Sequence, residues 1–152
     1  FRRPGQPDHA CGGRVNLERL QAQLYTDEGC RSKPYRCSAG KLTIGVGRNL
    51  DDRGLRPDEI TLMLANDIAE AVNDCRKLFR NFDRLAAVRQ EVLVNMMFNL
   101  GFTRLCAFKK LNAAIHASDW DEAADQMEQS RWAVQVGARA QRLVAAMREG
   151  EF

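Results

Sequence analysis

Hydrophobic residues recur at intervals of three and four through most of the chain, the spacing that places them on one face of an α-helix. The first such run follows Asn16, a residue type that caps helix N-termini. It stops at Gly29, a residue that readily takes the left-handed conformation closing many helices. The pattern therefore predicts a first helix whose last residue is Glu28.

The segment from 33 to 46 has a different pattern, with short runs typical of β-strands on either side of a turn at Ser38, Ala39 and Gly40. Two glycines, Gly45 and Gly47, lie within the second run and indicate a bulge or a close approach of the backbone to another group. The polar residues 48–54 are predicted to form a turn.

Helical spacing returns at Pro57, which the first turn of a helix tolerates, and continues to Phe79. A single amphipathic helix of that length is about 34 Å long. Further helices are predicted from Asp83 to a stop at Gly101, over 108–115, over 119–128 behind a capping box of Ser118 and Asp121, and from Gly137 to about 148.

These elements predict an α+β fold that is mainly helical. A small β-hairpin lobe at about 30–56 is joined by the long helix at about 57–79 to a helical lobe at about 83–152. The segment Phe1–Gly13 is rich in Arg, Pro and Gly, and we expect it to be a linker or the boundary of a domain cut from a longer chain.

Composition narrows the classes of function. The 152 residues carry 23 Lys and Arg against 20 Asp and Glu, a net charge of +3, too mild a bias to indicate a nucleic-acid partner. No run approaches the ~18 apolar residues of a membrane helix, so we expect no stable membrane insertion. The five cysteines form no zinc-type spacing, and we expect no metal and no cofactor.

Glu28 is a candidate general acid because it ends a helix, where the negative pole of the dipole favours a carboxyl group that keeps its proton. The same position is also compatible with an ordinary surface residue before a capping glycine.

A wider pattern accompanies this residue. Cys37 follows Glu28 by nine residues, and Thr43 follows Cys37 by six. The chain thereby resembles the phage-type lysozymes, the T-even phage lysozyme family, whose members have a helix-ending Glu, then Asp or Cys, then Thr at these intervals. The resemblance continues in order from about Leu17 to Phe152, through segments 98–101, 120–124 and 130–132 and then Arg139 and Arg142.

The resemblance implies a lysozyme-like fold and cleavage of the β-1,4 bond between N-acetylmuramic acid and N-acetylglucosamine in peptidoglycan. Carried over, Glu28 is the acid that protonates the leaving oxygen, and Cys37 and Thr43 place or activate the attacking water. Asn99 and Trp132 are expected to line the substrate cleft, and Arg139 to reach toward the acid.

Cys37 occupies a position where the better-known pattern has Asp, and a thiol is mostly uncharged at neutral pH unless its pKa is lowered. It is a weak base or nucleophile, a small strand filler, or one half of a disulfide with Cys30.

Three functions are open at this point. The first is a muramidase acting as a monomer on glycan strands in the bacterial periplasm or cell wall, virion-associated or released from the host cytoplasm. The second is a lytic transglycosylase, and the third is a catalytically weak peptidoglycan-binding module. Phage infection and host lysis are the settings that the resemblance implies.

Overall fold

The computed structural model describes residues 15–152. Within this range the chain forms two compact units, one ending at Arg56 and the other beginning at Pro57. The predicted linker at Phe1–Gly13 lies outside the described residues.

The first unit contains two helices and a three-stranded antiparallel sheet in the order β1-β2-β3. Its elements are α1 (Leu17–Glu28), β1 (Arg31–Arg36), β2 (Leu42–Gly45), β3 (Arg48–Asn49) and α2 (Leu50–Arg53). The predicted hairpin is confirmed. Residues 48–54, predicted to be a turn, instead supply β3 and α2, because Asn49 caps α2 by accepting a hydrogen bond from the Asp52 N–H at 3.0 Å.

Both ends of α1 lie where the sequence predicts them. The Asn16 side chain accepts a hydrogen bond from the Arg19 N–H at 2.9 Å, which satisfies a donor that has no partner inside the helix. At the other end Gly29 has a φ of 70°, and its N–H donates to the Tyr25 carbonyl at 3.1 Å. No residue of α1 is buried, so these local caps fix its limits.

The second unit is helical, and it contains every buried hydrophobic side chain of the described residues. Its helices are α3 (Pro57–Leu78), α4 (Ala87–Leu100), α5 (Phe102–Cys106), α6 (Lys109–Ala117), α7 (Trp120–Glu128), α8 (Arg131–Val136) and α9 (Ala138–Glu149). The apolar stripe of α4 packs at the centre, with Val92, Leu93 and Met96 fully buried. The mainly helical α+β class is therefore confirmed.

Two predicted boundaries differ from the structure, and the short helix α5 was not predicted. Asp83 does not start a helix; it lies in a single 3-10 turn, Phe82–Arg84, and α4 begins only at Ala87. The cap of α7 is not Ser118, which closes α6 in the left-handed region at a φ of 56°. Asp119 caps α7 instead, because its carboxylate accepts a hydrogen bond from the Glu122 N–H at 3.1 Å. The five-residue α5 is too short to leave a periodic signal.

Arg89, on α4, ties the end of the chain to the centre of this unit. Its Nε donates to the Met147 carbonyl at 2.9 Å and its Nη2 to the Arg148 carbonyl at 3.1 Å, two groups in the last turn of α9. The guanidinium also lies 4.3 Å from the centroid of the Trp120 ring, a cation–π distance. One partly buried side chain thus satisfies carbonyls that a helix end leaves open.

Candidate active site

Glu28 lies at the junction of α1 and the sheet, and its carboxylate is close to the backbone of Gly47. A Cβ atom built on Gly47 would lie 3.2 Å from Oε2 of Glu28. Gly47 has a φ of 71°, a conformation that side-chain-bearing residues rarely adopt. The sequence prediction of a close approach at this glycine is confirmed, and the group that approaches is the candidate acid.

Gly45, the other glycine of that prediction, differs from Gly47 in its surroundings. Its φ is 65°, yet no atom lies within 4 Å of where its Cβ would be. The positive φ alone accounts for glycine at position 45. At position 47 the absence of a side chain also leaves room for the Glu28 carboxylate.

Cys37 is the first residue of the turn between β1 and β2. Its N–H donates to the Lys41 carbonyl at 3.0 Å, and its carbonyl accepts from the Gly40 N–H at 2.8 Å. On the paired strands Tyr35 lies opposite Thr43, so Cys37, two residues beyond Tyr35, lies on the same face as Thr43. The turn therefore preserves the register that an even spacing of 37 and 43 requires.

Among residues 15–56 of the first unit, Thr43 is the one buried polar residue, at 4% exposure. Its Oγ1 donates to the Lys41 carbonyl at 3.0 Å, the same oxygen that accepts from Cys37 N–H. Cys37 and Thr43 are thus held by one carbonyl group, with the hydroxyl oxygen still able to accept a hydrogen bond.

The sulfur of Cys37 lies in an environment that favours the thiolate. Hydrogen bonds from the backbone of Lys41 and of Ala39 lower the pKa of the thiol, and partial burial opposes them. When this thiol is ionised, it carries a negative charge at the position where the better-known pattern has an aspartate.

A disulfide between Cys30 and Cys37 is excluded, and both cysteines are free. They flank β1, whose ends Arg31 and Arg36 pair with residues three positions apart on β2. Three residues of strand span about 10 Å, and the two cysteines lie beyond those ends. The Cα atoms of a disulfide are within about 7 Å of each other, so the alternative of a Cys30–Cys37 disulfide is ruled out.

The remaining candidate residues belong to the second unit. Trp132 is 2% exposed, and its Nε1 donates to Oδ1 of Asn99 at 2.9 Å. The ring is packed in the core and does not face solvent. Trp132 therefore orients the exposed Asn99 amide and does not itself line a surface.

Arg139, on α9, is partly buried and forms a two-pronged contact with Asn95 on α4. Its Nε donates to Oδ1 of Asn95 at 2.9 Å, and its Nη2 donates to the same oxygen at 2.6 Å. Asn95 was not among the predicted site residues. A signal was present in the sequence, because Asn95 lies between the apolar runs 92–94 and 96–98, and a partly buried amide there needs a polar partner.

Asn95 and Arg139 also line a cavity of about 450 Å³ within the second unit. Its remaining walls come mainly from apolar residues of α3 and α4, together with a few polar ones: Leu64, Ile68, Val72, Arg76, Phe82, Ala87, Gln90, Glu91, Val94 and Phe98. Asn99 and Trp132 are not part of that lining.

The described residues contain neither a metal site nor a membrane-spanning helix. Between residues 15 and 152 no group of three or more His, Cys, Asp or Glu side chains is arranged to hold a metal ion. Over the same range, no helix combines the length and the apolar character that crossing a membrane requires.

Comparison with known proteins identifies the family. The model of the family described as phage lysozyme matches residues 26–151, which include all six candidate site residues. The chain belongs to the phage lysozyme family. At the level of the family it is a lysozyme-type peptidoglycan hydrolase.

Individual relatives of this phage lysozyme family member are distant. The chain is 24% identical to probable T4-type lysozyme 2 of Dictyostelium discoideum, over 86% of this chain and 94% of that protein. It is 25% identical to the pre-baseplate central spike protein Gp5 of Enterobacteria phage T4, over 88% of this chain and 28% of that protein. A SAR-endolysin of Haemophilus phage HP1 is 35% identical over 49% of this chain and 41% of its own length.

Proposed function

We propose that this protein hydrolyses the β-1,4 bond between N-acetylmuramic acid and N-acetylglucosamine in bacterial peptidoglycan, with Glu28 as general acid. The observation that carries the proposal is the position of the Glu28 carboxylate at the end of α1, beside Gly47. Gly47 lies in the turn that follows β2, Thr43 lies on β2, and Cys37 begins the turn that precedes β2.

The reaction needs a proton on the leaving oxygen and a nucleophile at the anomeric carbon. Glu28 gives its proton to the glycosidic oxygen as the C–O bond breaks. A water molecule attacks the anomeric carbon from the opposite face and loses a proton to the Cys37 thiolate, which becomes a thiol. Inversion of configuration follows, and exchange with solvent returns both groups to their starting states.

Thr43 has a distinct part in this scheme. Because its hydroxyl proton is donated to the Lys41 carbonyl, its oxygen is available to accept a hydrogen bond from the attacking water. The lowered pKa of Cys37 supports the role of base, since a neutral thiol is a poor proton acceptor.

In the second unit we propose that Asn99 and Arg139 contact the glycan strand and that Trp132 orients the Asn99 amide. A polymer that carries amides and carboxylates matches an exposed amide and a guanidinium. The two hydrogen bonds to Oδ1 of Asn95 fix the orientation of the Arg139 guanidinium.

The first experiment measures hydrolysis of purified peptidoglycan by the parent and by Glu28→Gln. The substitution keeps the shape of the side chain and removes its acid, so clearing should be abolished while the circular dichroism spectrum stays the same. A Glu28→Gln variant that clears at the parent rate would exclude Glu28 as the acid.

The products decide the bond and the reaction type. Reducing muramic acid ends, identified by mass spectrometry after borohydride reduction, are expected for a muramidase. Reducing glucosamine ends would contradict the proposed bond. 1,6-Anhydromuramic ends would show a lytic transglycosylase, and binding to the cell wall without any new ends would show a binding module.

Variants at position 37 separate chemistry from packing. Cys37→Asp should retain activity, because a carboxylate accepts the same backbone hydrogen bonds and carries the charge. Cys37→Ser, which is close in size but does not ionise, should lose most of it. Equal activity of the two variants would assign Cys37 to packing.

We further propose that the protein acts on the bacterial cell wall from the periplasmic side. The relatives support action at the wall, since they include an endolysin and a phage spike protein. Expression in the cytoplasm of a Gram-negative host should be tolerated, whereas export to the periplasm should lyse the cells. Lysis from the cytoplasm without export would contradict this location.

A further inference from the structure

Asp51, in the first turn of α2, makes a contact that the reaction scheme does not use. Its Oδ2 accepts a hydrogen bond from the Leu42 N–H at 2.8 Å, nine residues back along the chain. Capping of α2 does not need this carboxylate, because Asn49 accepts from the Asp52 N–H and donates to the Asp52 carboxylate. The Asp51 carboxylate therefore binds the backbone of β2 and does not cap its own helix.

The Leu42 N–H and the Lys41 carbonyl belong to one peptide group. The carbonyl side of that group accepts from Cys37 N–H and from Thr43 Oγ1, each at 3.0 Å. The N–H side donates to the Asp51 carboxylate. A negative charge on the N–H polarises the peptide and makes its carbonyl oxygen a stronger acceptor.

We propose that Asp51 is a positioning residue for Cys37 and Thr43, acting through the peptide group between Lys41 and Leu42. Asp51 holds that peptide in the orientation in which the Lys41 carbonyl accepts hydrogen bonds from both the Cys37 N–H and the Thr43 hydroxyl. The inference rests on the proposed function, in which those two residues handle the attacking water.

A second contact to α2 is made by the side chain of Lys41, the residue whose carbonyl belongs to this peptide group. The Lys41 ammonium lies 2.9 Å from Oδ1 of Asp52, the neighbour of Asp51 on α2. Both groups are about half exposed, so this ion pair is weak by itself. The contact of Asp51 differs in kind, because it ends on the backbone that carries the two site residues.

The test compares Asp51→Ala and Asp51→Asn with the parent, using Asp83→Ala as the matched control. Asp83 is likewise an exposed aspartate, paired with Arg76 at 2.9 Å, but it lies in the second unit. The first readout is kcat and KM on soluble, uncross-linked glycan strands. Asp51→Ala should lower kcat by about tenfold, the scale of a lost hydrogen bond to a charged group, with KM little changed.

The second readout does not depend on activity. The pH midpoint for alkylation of Cys37 by iodoacetamide, followed by peptide mass spectrometry, should rise in Asp51→Ala, because the backbone donors that favour the thiolate are no longer held in place. Asp51→Asn keeps an oxygen that accepts from Leu42 N–H, so it should restore most of kcat and of the midpoint. Asp83→Ala should match the parent in both.

Unchanged kcat and an unchanged Cys37 midpoint in Asp51→Ala would overturn the inference. If Asp51→Ala does not fold, Asp51→Asn decides the test. A kcat of Asp51→Asn about tenfold below that of the parent would overturn the inference. A parent protein that does not cleave glycan strands would instead refute the proposed function, and the alkylation midpoint would still decide whether Asp51 holds the turn.

Discussion

Replacing Gly47 with alanine tests whether the position of the Glu28 carboxylate matters. The new Cβ would lie 3.2 Å from Oε2, 3.6 Å from Cδ and 3.7 Å from Cγ of Glu28. A separation of 3.2 Å is shorter than normal van der Waals contact, so the carboxylate must move by a few tenths of an ångström. Alanine at a φ of 71° adds backbone strain of about 1–2 kcal/mol.

Gly45→Ala is the matched control. Gly45 has a similar positive φ, 65°, but nothing lies within 4 Å of its added Cβ. Both variants therefore carry a similar backbone strain, and only the one at position 47 also displaces Glu28.

Thermal unfolding and peptidoglycan hydrolysis separate the two effects. Each variant should lose about 2–8 °C in Tm, the shift that 1–2 kcal/mol produces in a chain of this size. At a temperature where both are folded, Gly47→Ala should be about tenfold less active than Gly45→Ala, since small displacements of a reacting group slow catalysis. Equal activity of the two variants would refute the assignment of Glu28 as a positioned acid.

Three further predictions concern single side chains. Burial raises the pKa of the Cys75 thiol to about 12, so iodoacetamide at pH 8 should modify Cys37 and leave Cys75 intact; mass mapping that finds Cys75 modified in the folded protein would contradict this. The hydrogen bond from Lys41 lowers the pKa of Asp52 in the folded state, so its stabilising effect is present at neutral pH and is lost as the pH falls through that lowered pKa. Asp52→Asn should therefore reduce Tm at pH 7 and have little effect near pH 2, and a constant difference across that range would argue against the pair. Arg89→Met should lower the free energy of unfolding by about 1–3 kcal/mol in urea, because two partly buried carbonyls of α9 lose their donor; an unchanged midpoint would show that water replaces it.

The helix and strand pattern was largely determined by local sequence. Asn16 and Gly29 limit α1 through hydrogen bonds to residues three and four positions away, and such local contacts can be predicted from the sequence. The same locality explains the error at Ser118. Ser and Asp are both good caps, and the choice between adjacent residues depended on which one took the left-handed turn that closes α6.

Some features of the candidate site follow from the local sequence, and others depend on contacts between distant segments. The sequence by itself determined that Glu28 ends a helix and that Cys37 and Thr43 follow at the spacing of the phage lysozyme family, because helix ends and motif intervals are properties of the chain order. It could not determine that Trp132 is buried behind Asn99 or that Arg139 pairs with Asn95, since those contacts join segments 33 and 44 residues apart.

Only the tertiary structure decided which groups share a hydrogen bond across the sheet. The carboxylate of Asp51 reaches the peptide beside Thr43 because β3 returns the chain along β2 before α2 begins. Likewise, β1 separates Cys30 from Cys37 although only six residues lie between them. Local residues fix where elements begin and end, whereas distances between side chains depend on how those elements pair.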